Sequence, residues 1–223
     1  MKLKRALLFD MDGTIVDNMA YHTAAWTEFF KRRGTSIEHD DFFARTAGRH
    51  SREIMRDFIS ADLSDAEIES LNTEKEAIYR ALYGPHRKVI AGFEALIAQA
   101  KANSMALAVA TAASDANITF MLDGLDIRKH FDTVVGAGDV KRGKPSPDVF
   151  LKAAQQCGVA PEHCIVFEDA PLGVEAARNA GMRAVVLTTT MPAAAFAGYD
   201  NVIAIASDFS TLTLDTLFTH QPS

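Results

Sequence analysis

Cysteine is scarce in this sequence, since Cys157 and Cys164 are the only two and no framework pattern surrounds them. A small fold built on several disulfides is therefore excluded, and we expect two reduced thiols, as in a cytoplasmic protein. Long apolar runs are also missing. The longest, Met105 to Ala113, is interrupted by Thr111 and falls well short of the roughly 20 residues that span a bilayer. We therefore expect no membrane association.

Positive charge is in short supply as well. The chain has 23 lysines and arginines against 29 aspartates and glutamates, which gives a formal net charge of -6. A chain with this net negative charge lacks the positively charged surface that binds nucleic acid, so we expect no nucleic-acid partner. Local basic clusters could still bind a small anion. The basic first residues are soon followed by Asp10 and Asp12, which interrupt anything resembling a signal segment. We expect a globular, cytoplasmic monomer.

Two carboxylates follow the first apolar stretch of the chain. Ala6 to Phe9 is apolar and leads into Asp10-Met11-Asp12-Gly13-Thr14, the pattern of a buried parallel strand, and open α/β sheets bind ligands where such strands end. Residues two apart in an extended chain project to the same side, so Asp10 and Asp12 are expected to face one site. Neighbouring carboxylates favour a hard cation such as Mg²⁺. A solvated turn is the alternative.

Two kinds of periodicity divide the chain. Helical spacing runs from about residue 16 to 85 and includes a capping box of Ser64 and Glu67. Beyond it, helices alternate with short apolar strands, which predicts a parallel sheet with helices on both faces. We expect a Rossmann-like α/β core of residues 1–15 and 86–223, with residues 16–85 inserted as an all-helical cap domain. The predicted strands after the first are Ala106–Val109, Thr133–Val135, Cys164–Phe167, Ala184–Leu187 and Val202–Ile205.

Three later segments bring polar side chains to the same edge of the predicted sheet. Thr111 ends a strand before a helix, where amides and a hydroxyl can bind an anion. Lys144 precedes a helix predicted to begin at Pro147, with Ser146 as its cap, and Glu168-Asp169 follows the fourth strand. Each segment alone is also explained by a helix cap or a solvated side chain. Together they indicate Mg²⁺-assisted phosphoryl transfer.

These motifs resemble the haloacid dehalogenase-like superfamily, in particular its helically capped branch of beta-phosphoglucomutases and sugar-phosphate phosphatases. The resemblance covers essentially the whole chain. It rests on four motifs in the order and spacing of the family: Asp-x-Asp-Gly-Thr at 10–14, Thr111, Lys144-Pro145 and Glu168-Asp169.

The resemblance implies a division of labour among these residues. Asp10 would be the nucleophile that forms an aspartyl phosphate, and Asp12 the general acid and base. An acid at position 12 argues against dehalogenation, since the true dehalogenases of the superfamily lack it. The resemblance also implies that Mg²⁺ is bound by Asp10, the Asp12 backbone carbonyl and Asp169, with Glu168 as a further ligand. The phosphoryl group would be bound by Thr111, the Ala112 amide and Lys144.

The residues of the predicted cap are compatible with two activities, that of a phosphatase and that of a mutase. His22 and Lys75 resemble residues on the hinge and cap helices of beta-phosphoglucomutases, where they would contact substrate or tether Asp12; a surface lysine is the plainer interpretation of Lys75. Arg49 and Arg52 suit an anionic substrate, but their loop matches the mutases only if one residue is inserted.

We therefore expect a Mg²⁺-dependent phosphohydrolase acting on a small phosphorylated metabolite such as a sugar phosphate. The alternatives are a beta-phosphoglucomutase and, more distantly, a non-enzymatic phosphoacceptor module.

Overall fold

The computed structural model describes residues 4–35, 37 and 51–219. For residue 219 it describes the backbone only. The chain divides into two compact units. One combines Met1–Asp17 with Arg87–Ser223, and the other is Asn18–His86.

Six described strands form one parallel sheet in the order β3-β2-β1-β4-β5-β6. The first strand therefore lies in the middle of the sheet, between β2 and β4. This confirms the predicted Rossmann-like α/β core. The strands are β1 (Ala6–Phe9), β2 (Ala106–Ala110), β3 (Thr133–Val135), β4 (Cys164–Glu168), β5 (Arg183–Leu187) and β6 (Val202–Ala206).

Helices occupy most of the remaining described chain. The described α-helices are α1 (Met19–Lys31), α2 (Ser51–Phe58), α3 (Asp65–Tyr83), α4 (Phe93–Ala102), α5 (Asp115–Ile118), α6 (Asp148–Cys157), α7 (Pro171–Asn179) and α8 (Leu214–Thr219). Among the described residues, none of the helices combines the length and the apolar character that crossing a membrane requires.

The central strand is apolar throughout because both of its faces are covered. Leu8 belongs to a buried cluster with residues of α6 and α7, such as Val149 and Val174. The next residue, Phe9, projects to the opposite face, where its ring stacks on Phe167 at 4.5 Å between centroids and meets Phe93 edge-on at 5.6 Å. This anchoring fixes the point at which β1 leaves the core.

The helical unit confirms one sequence prediction. Helix α1 buries a face that includes Trp26 and Phe29. Helix α3 starts with the predicted capping box: the Ser64 hydroxyl accepts from the Glu67 amide at 3.3 Å, and the Glu67 carboxylate accepts from the Ser64 amide at 2.9 Å. Both bonds satisfy backbone groups that a helix start would leave unpaired.

One helix start differs from the prediction. Helix α6 begins at Asp148, with Pro147 as its cap, rather than at Pro147 with Ser146 as the cap. The Ser146 hydroxyl donates to the Asp148 carboxylate at 2.7 Å instead of accepting from a helix amide. The prediction is therefore wrong by one residue, because a neighbouring side chain takes the hydroxyl.

Candidate active site

Asp10 is the first residue beyond β1, at the carboxyl edge of the sheet. Its amide donates to the Phe167 carbonyl at 3.0 Å, which continues the pairing of β1 with β4. On the other side of β1, Thr111 directly follows β2. The strand order therefore brings the ends of three adjacent strands around Asp10.

Three buried carboxylates meet at this edge. Asp10, Glu168 and Asp169 each offer an oxygen, and these three atoms lie within 4.8 Å of one another. All three residues are buried, and the most exposed of them, Asp10, is 7% exposed. Carboxylate oxygens at such spacing are the donors that a hard divalent cation binds.

Lys144 joins two of these acids. Its Nζ donates to Oδ1 of Asp10 at 2.6 Å and to Oε1 of Glu168 at 2.5 Å. Burial by itself lowers the pKa of Lys144, but the Asp10 and Glu168 carboxylates outweigh that effect and raise the pKa above its ordinary value. The lysine is therefore a fixed ammonium group and not a solvated surface charge.

The single ammonium does not balance the acidic cluster. Burial raises the pKa of Asp10 well above its usual range; Lys144 opposes this rise, and the charges of Glu168 and Asp169 add to it. Burial also raises the pKa of Asp169 to about 7, and the charge of Glu168 contributes to that shift. Dehydrated carboxylates that repel one another call for more positive charge than the described residues around them supply, so these acids fit a divalent cation.

The loop after Asp10 packs tightly against Asp169. Gly13 has a φ of +79°, and a Cβ atom there would lie 2.1 Å from Oδ2 of Asp169. Only glycine accommodates both the left-handed backbone and this close approach. The next residue, Thr14, is buried, and its hydroxyl donates to Oδ1 of Asp169 at 3.1 Å.

A second glycine makes room for Glu168. Oε2 of Glu168 accepts from the amides of Asp169 and Ala170 at 3.0 and 3.2 Å, which folds its side chain back onto the start of α7. A Cβ atom at Gly173 would lie 1.9 Å from Oε1 of Glu168. The absence of a side chain at position 173 therefore allows Glu168 to reach Lys144.

The other residues predicted for this site lie at the same edge. Asp12 is half-buried in the loop after β1, where its backbone forms an isolated bridge to Val16. The buried Thr111 hydroxyl accepts from the Ala113 amide at 3.2 Å, and Ala112 between them is exposed. Thr111 and Ala112 thus follow the end of β2, the strand next to β1.

The predicted substrate-binding residues of the helical unit have different environments. Lys75 is buried, so its interpretation as a surface lysine is wrong; its Nζ lies 3.0 Å from Nδ1 of His22 and 2.8 Å from Oε1 of Glu76. Arg52 is exposed and pairs with Asp65. Arg49 lies outside the described residues.

Sequence reasoning missed the residues that hold the acids in place. Thr14 belongs to the Asp-Gly-Thr motif but received no role, and Gly173 was not singled out. Three successive threonines after β5, Thr188 to Thr190, were also missed. Hydroxyls at the carboxyl end of a parallel strand were the available signal, since that edge is where such sheets bind ligands.

Comparison with known proteins agrees with this geometry. The family model described as haloacid dehalogenase-like hydrolase matches residues 7–187. Fructose-1-phosphate phosphatase YqaB from Escherichia coli is 36% identical over 183 residues, which cover 80% of this chain and 94% of that protein. Beta-phosphoglucomutase from Bacillus subtilis is 29% identical over 222 residues, covering 96% of this chain and 93% of the mutase.

A solved structure extends the match to the fold. A HAD hydrolase of family IA, variant 3, from Entamoeba histolytica superposes with a TM-score of 0.89 at 27% sequence identity. The superposition covers 96% of this chain and 97% of the other.

Proposed function

This chain belongs to the haloacid dehalogenase-like hydrolases, and we propose that it is a Mg²⁺-dependent phosphohydrolase that acts through an aspartyl phosphate on Asp10. The observation that carries the proposal is the contact between Asp10 and Lys144 beside the buried acids Glu168 and Asp169. It supplies a carboxylate nucleophile, a fixed ammonium for phosphoryl oxygens and a donor set for a cation in one place.

In the proposed first step, an Asp10 oxygen attacks the phosphorus atom of a phosphate monoester. The bond from phosphorus to the ester oxygen breaks, and Asp12 gives that oxygen a proton, so that an alcohol leaves. In the second step, water attacks the phosphorus of the aspartyl phosphate and gives a proton to Asp12. Inorganic phosphate leaves and Asp10 is regenerated.

The proposed ligands of Mg²⁺ are Asp10, Asp169 and the backbone carbonyl of Asp12, with Glu168 as a further ligand. When bound, the cation neutralises the repulsion between the Asp10 carboxylate and the incoming phosphate. Lys144 then holds the phosphoryl oxygens together with the groups at the end of β2, the Thr111 hydroxyl and the Ala112 amide. A carboxylate nucleophile needs no proton removed before it attacks.

We propose a small phosphorylated metabolite, such as a sugar phosphate, as the substrate. The Escherichia coli relative is named for fructose 1-phosphate, and this supports the choice. His22, Arg49, Arg52 and Lys75 remain predicted substrate-binding residues on the inserted helical segment, whose role as a cap also stays a prediction. The cytoplasmic location and the monomeric state likewise remain predictions.

Beta-phosphoglucomutase is the second candidate. The contact between His22 and Lys75 favours it, because the sequence around both residues resembles mutase helices. Water is the default acceptor of a phosphoryl group, however, and a return transfer demands that a sugar bisphosphate be retained between the two steps. The phosphoacceptor module fits neither the family match nor a chain of 223 residues.

One experiment separates the two candidates. Purified protein with Mg²⁺ is incubated with beta-glucose 1-phosphate and a trace of glucose 1,6-bisphosphate, and a parallel sample contains fructose 1-phosphate. All phosphorus species are followed by ³¹P NMR. Inorganic phosphate that appears with Mg²⁺, but not with EDTA, supports the phosphatase. Glucose 6-phosphate without inorganic phosphate identifies a mutase, and turnover in EDTA contradicts the metal-dependent mechanism.

A further inference from the structure

The segment that follows β5 carries a buried hydroxyl close to the acidic cluster. The backbone of Thr188 continues the sheet by donating to the Ala206 carbonyl at 2.9 Å, and the Thr189 hydroxyl donates to the Gly13 carbonyl. The first bond ties the segment to β6, and the second ties it to the loop that follows Asp10. Thr190, the next residue, is thereby brought beside the same loop.

The Thr190 hydroxyl has no hydrogen-bond partner within the described part of the chain, although its Oγ1 atom is buried. Buried polar atoms almost always find a partner, because burial without one costs the desolvation of the group. Among the buried hydroxyls that the structure describes around the acids, those of Thr14 and Thr111 are both bonded. The unpartnered hydroxyl at Thr190 therefore needs an explanation.

The position of Gly13 shows what this hydroxyl faces. A Cβ atom built on Gly13 would lie 2.1 Å from Oδ2 of Asp169 and 2.8 Å from Oγ1 of Thr190. The hydroxyl and the carboxylate thus border the same small space, which glycine leaves open.

We propose that Thr190 is a positioning residue for Asp169, whose carboxylate it orients for the cation by donating its hydroxyl to the Oδ2 side. Thr14 already holds the Oδ1 side. Two hydroxyls from different segments would fix the rotation of the carboxylate and stabilise its charged form, as outer partners of metal ligands do. The inference rests on the proposed function, because it assumes that Asp169 binds a divalent cation.

Three variants test this role. Thr190→Val removes the hydroxyl and keeps the shape of the side chain, whereas Thr190→Ser keeps the hydroxyl. Thr188→Val is the matched control, because the Thr188 hydroxyl points to the Ala206 carbonyl at 3.4 Å and not to the acids. Each protein is freed of metal with EDTA, dialysed and titrated with MgCl₂ by calorimetry, and its melting temperature is recorded without and with Mg²⁺.

We expect Thr190→Val to bind Mg²⁺ about 10-fold more weakly than the wild type, the usual effect of losing an outer partner of a metal ligand. Its metal-free melting temperature should change little, because valine keeps the shape of the side chain and a single hydroxyl contributes only about 1 kcal/mol to the net stability. Thr190→Ser and Thr188→Val should bind Mg²⁺ as the wild type does.

Two results would overturn the positioning role alone: wild-type Mg²⁺ affinity in Thr190→Val, or equal weakening in Thr190→Ser. A lower metal-free melting temperature with unchanged affinity would likewise mark Thr190 as merely structural. If the wild-type protein itself binds no Mg²⁺ in this titration, the proposed function fails together with the inference, so the two failures can be told apart.

Discussion

The Nζ atom of Lys144 lies 2.6 Å from Oδ1 of Asp10, although the two residues are 134 positions apart in the sequence. The same nitrogen contacts Glu168. One ammonium group, on a side chain that is 11% exposed, therefore links the end of the central strand β1 to the end of its neighbour β4. The proposed phosphoryl transfer by Asp10 needs such a positive group, because the nucleophile and the substrate are both anions.

Replacing Lys144 by methionine should impair both activity and stability. We expect kcat/KM for a phosphate monoester to fall by at least ~100-fold, as is typical when one stabilising charge or donor is removed from a transition state. The metal-free protein should lose about 3–5 kcal/mol of unfolding free energy, because two buried acids lose their shared cation. Steady-state kinetics and urea unfolding measure the two effects.

Lys152→Met is the matched control for that variant. Lys152 lies on helix α6, which follows Lys144 in the sequence. Its side chain is partly exposed and pairs with Asp139, not with the buried acids. A surface pair of this kind contributes about 1 kcal/mol or less, so Lys152→Met should keep wild-type kinetics. Equal activity in the two methionine variants would contradict the role of Lys144.

Removing the carboxylate of Asp12 should affect substrates according to their leaving groups. For Asp12→Ala, we expect kcat/KM for a sugar phosphate to fall by roughly 10²–10⁴, the contribution of a general acid. For 4-nitrophenyl phosphate the loss should be much smaller, since nitrophenolate leaves without a proton. The ratio kcat/KM is the quantity to measure, because it reports on the step that expels the leaving group.

The exposed Asp17 provides the control for Asp12, as Asp17→Ala removes a nearby acid outside the site. That variant should leave both substrates unaffected. Equal losses for the sugar phosphate and the nitrophenyl ester in Asp12→Ala would show that Asp12 does not act as the acid.

Adding one methyl group at Gly173 should disturb Glu168. The new Cβ of Gly173→Ala would overlap Oε1 of Glu168, and that side chain cannot swing away freely because Lys144 and two amides hold it. We expect a stability loss of about 1–3 kcal/mol from overpacking, together with weaker Mg²⁺ binding. Thermal unfolding and calorimetric titration with MgCl₂ test these effects.

Gly138→Ala is suited as its control, because a Cβ atom at Gly138 meets nothing within 4 Å. This variant should retain both stability and Mg²⁺ affinity. A Gly173→Ala protein that matches it in both measurements would mean that Glu168 can relax without cost.

The sequence predicted the sheet well because the strand signal is local. A strand covered on both faces is apolar at every position, as Leu8 and Phe9 illustrate, and such a run stands out without any knowledge of its neighbours. The residues that follow those strands could also be predicted, since parallel strands end at a shared edge. The motif residues Asp10 and Glu168 were identified in this way.

Other features depended on tertiary contacts that no local pattern records. The burial of Lys75 against His22 arises from the packing of α1 on α3, so the polar residue type misled the interpretation as a surface lysine. The place of Thr190 beside Asp169 depends on how the end of β5 meets the Gly13 loop. Residue types alone do not specify such approaches.

The two thiols should be unreactive in the folded protein. Burial raises the pKa of Cys157 to about 11 and that of Cys164 to about 12. At pH 8 only about one Cys157 thiol in a thousand is then ionised, and the thiolate is the reactive form. We expect Ellman's reagent to modify both thiols rapidly in guanidinium chloride and hardly at all in the native protein.

The same shifts give a pH dependence of stability. Between about pH 9 and 11 the unfolded thiols lose protons that the folded thiols retain, so the unfolded state binds fewer protons and the unfolding free energy falls as pH rises. Replacing both cysteines by alanine should flatten this part of the profile of unfolding free energy against pH.

Rapid modification of the native protein by Ellman's reagent at pH 8 would contradict the expectation that both thiols are buried and protonated.

The central claim is that Asp10 performs the nucleophilic attack, and the turnover of Asp10→Asn tests it most directly. Asparagine has the same shape, and Glu168 remains as a partner for Lys144, so the variant should fold with a wild-type circular dichroism spectrum. With Mg²⁺ and the best substrate of the wild-type enzyme, we predict no release of inorganic phosphate above background, because a neutral amide is a very poor nucleophile toward phosphorus. Phosphate release by Asp10→Asn at the wild-type rate would contradict the account.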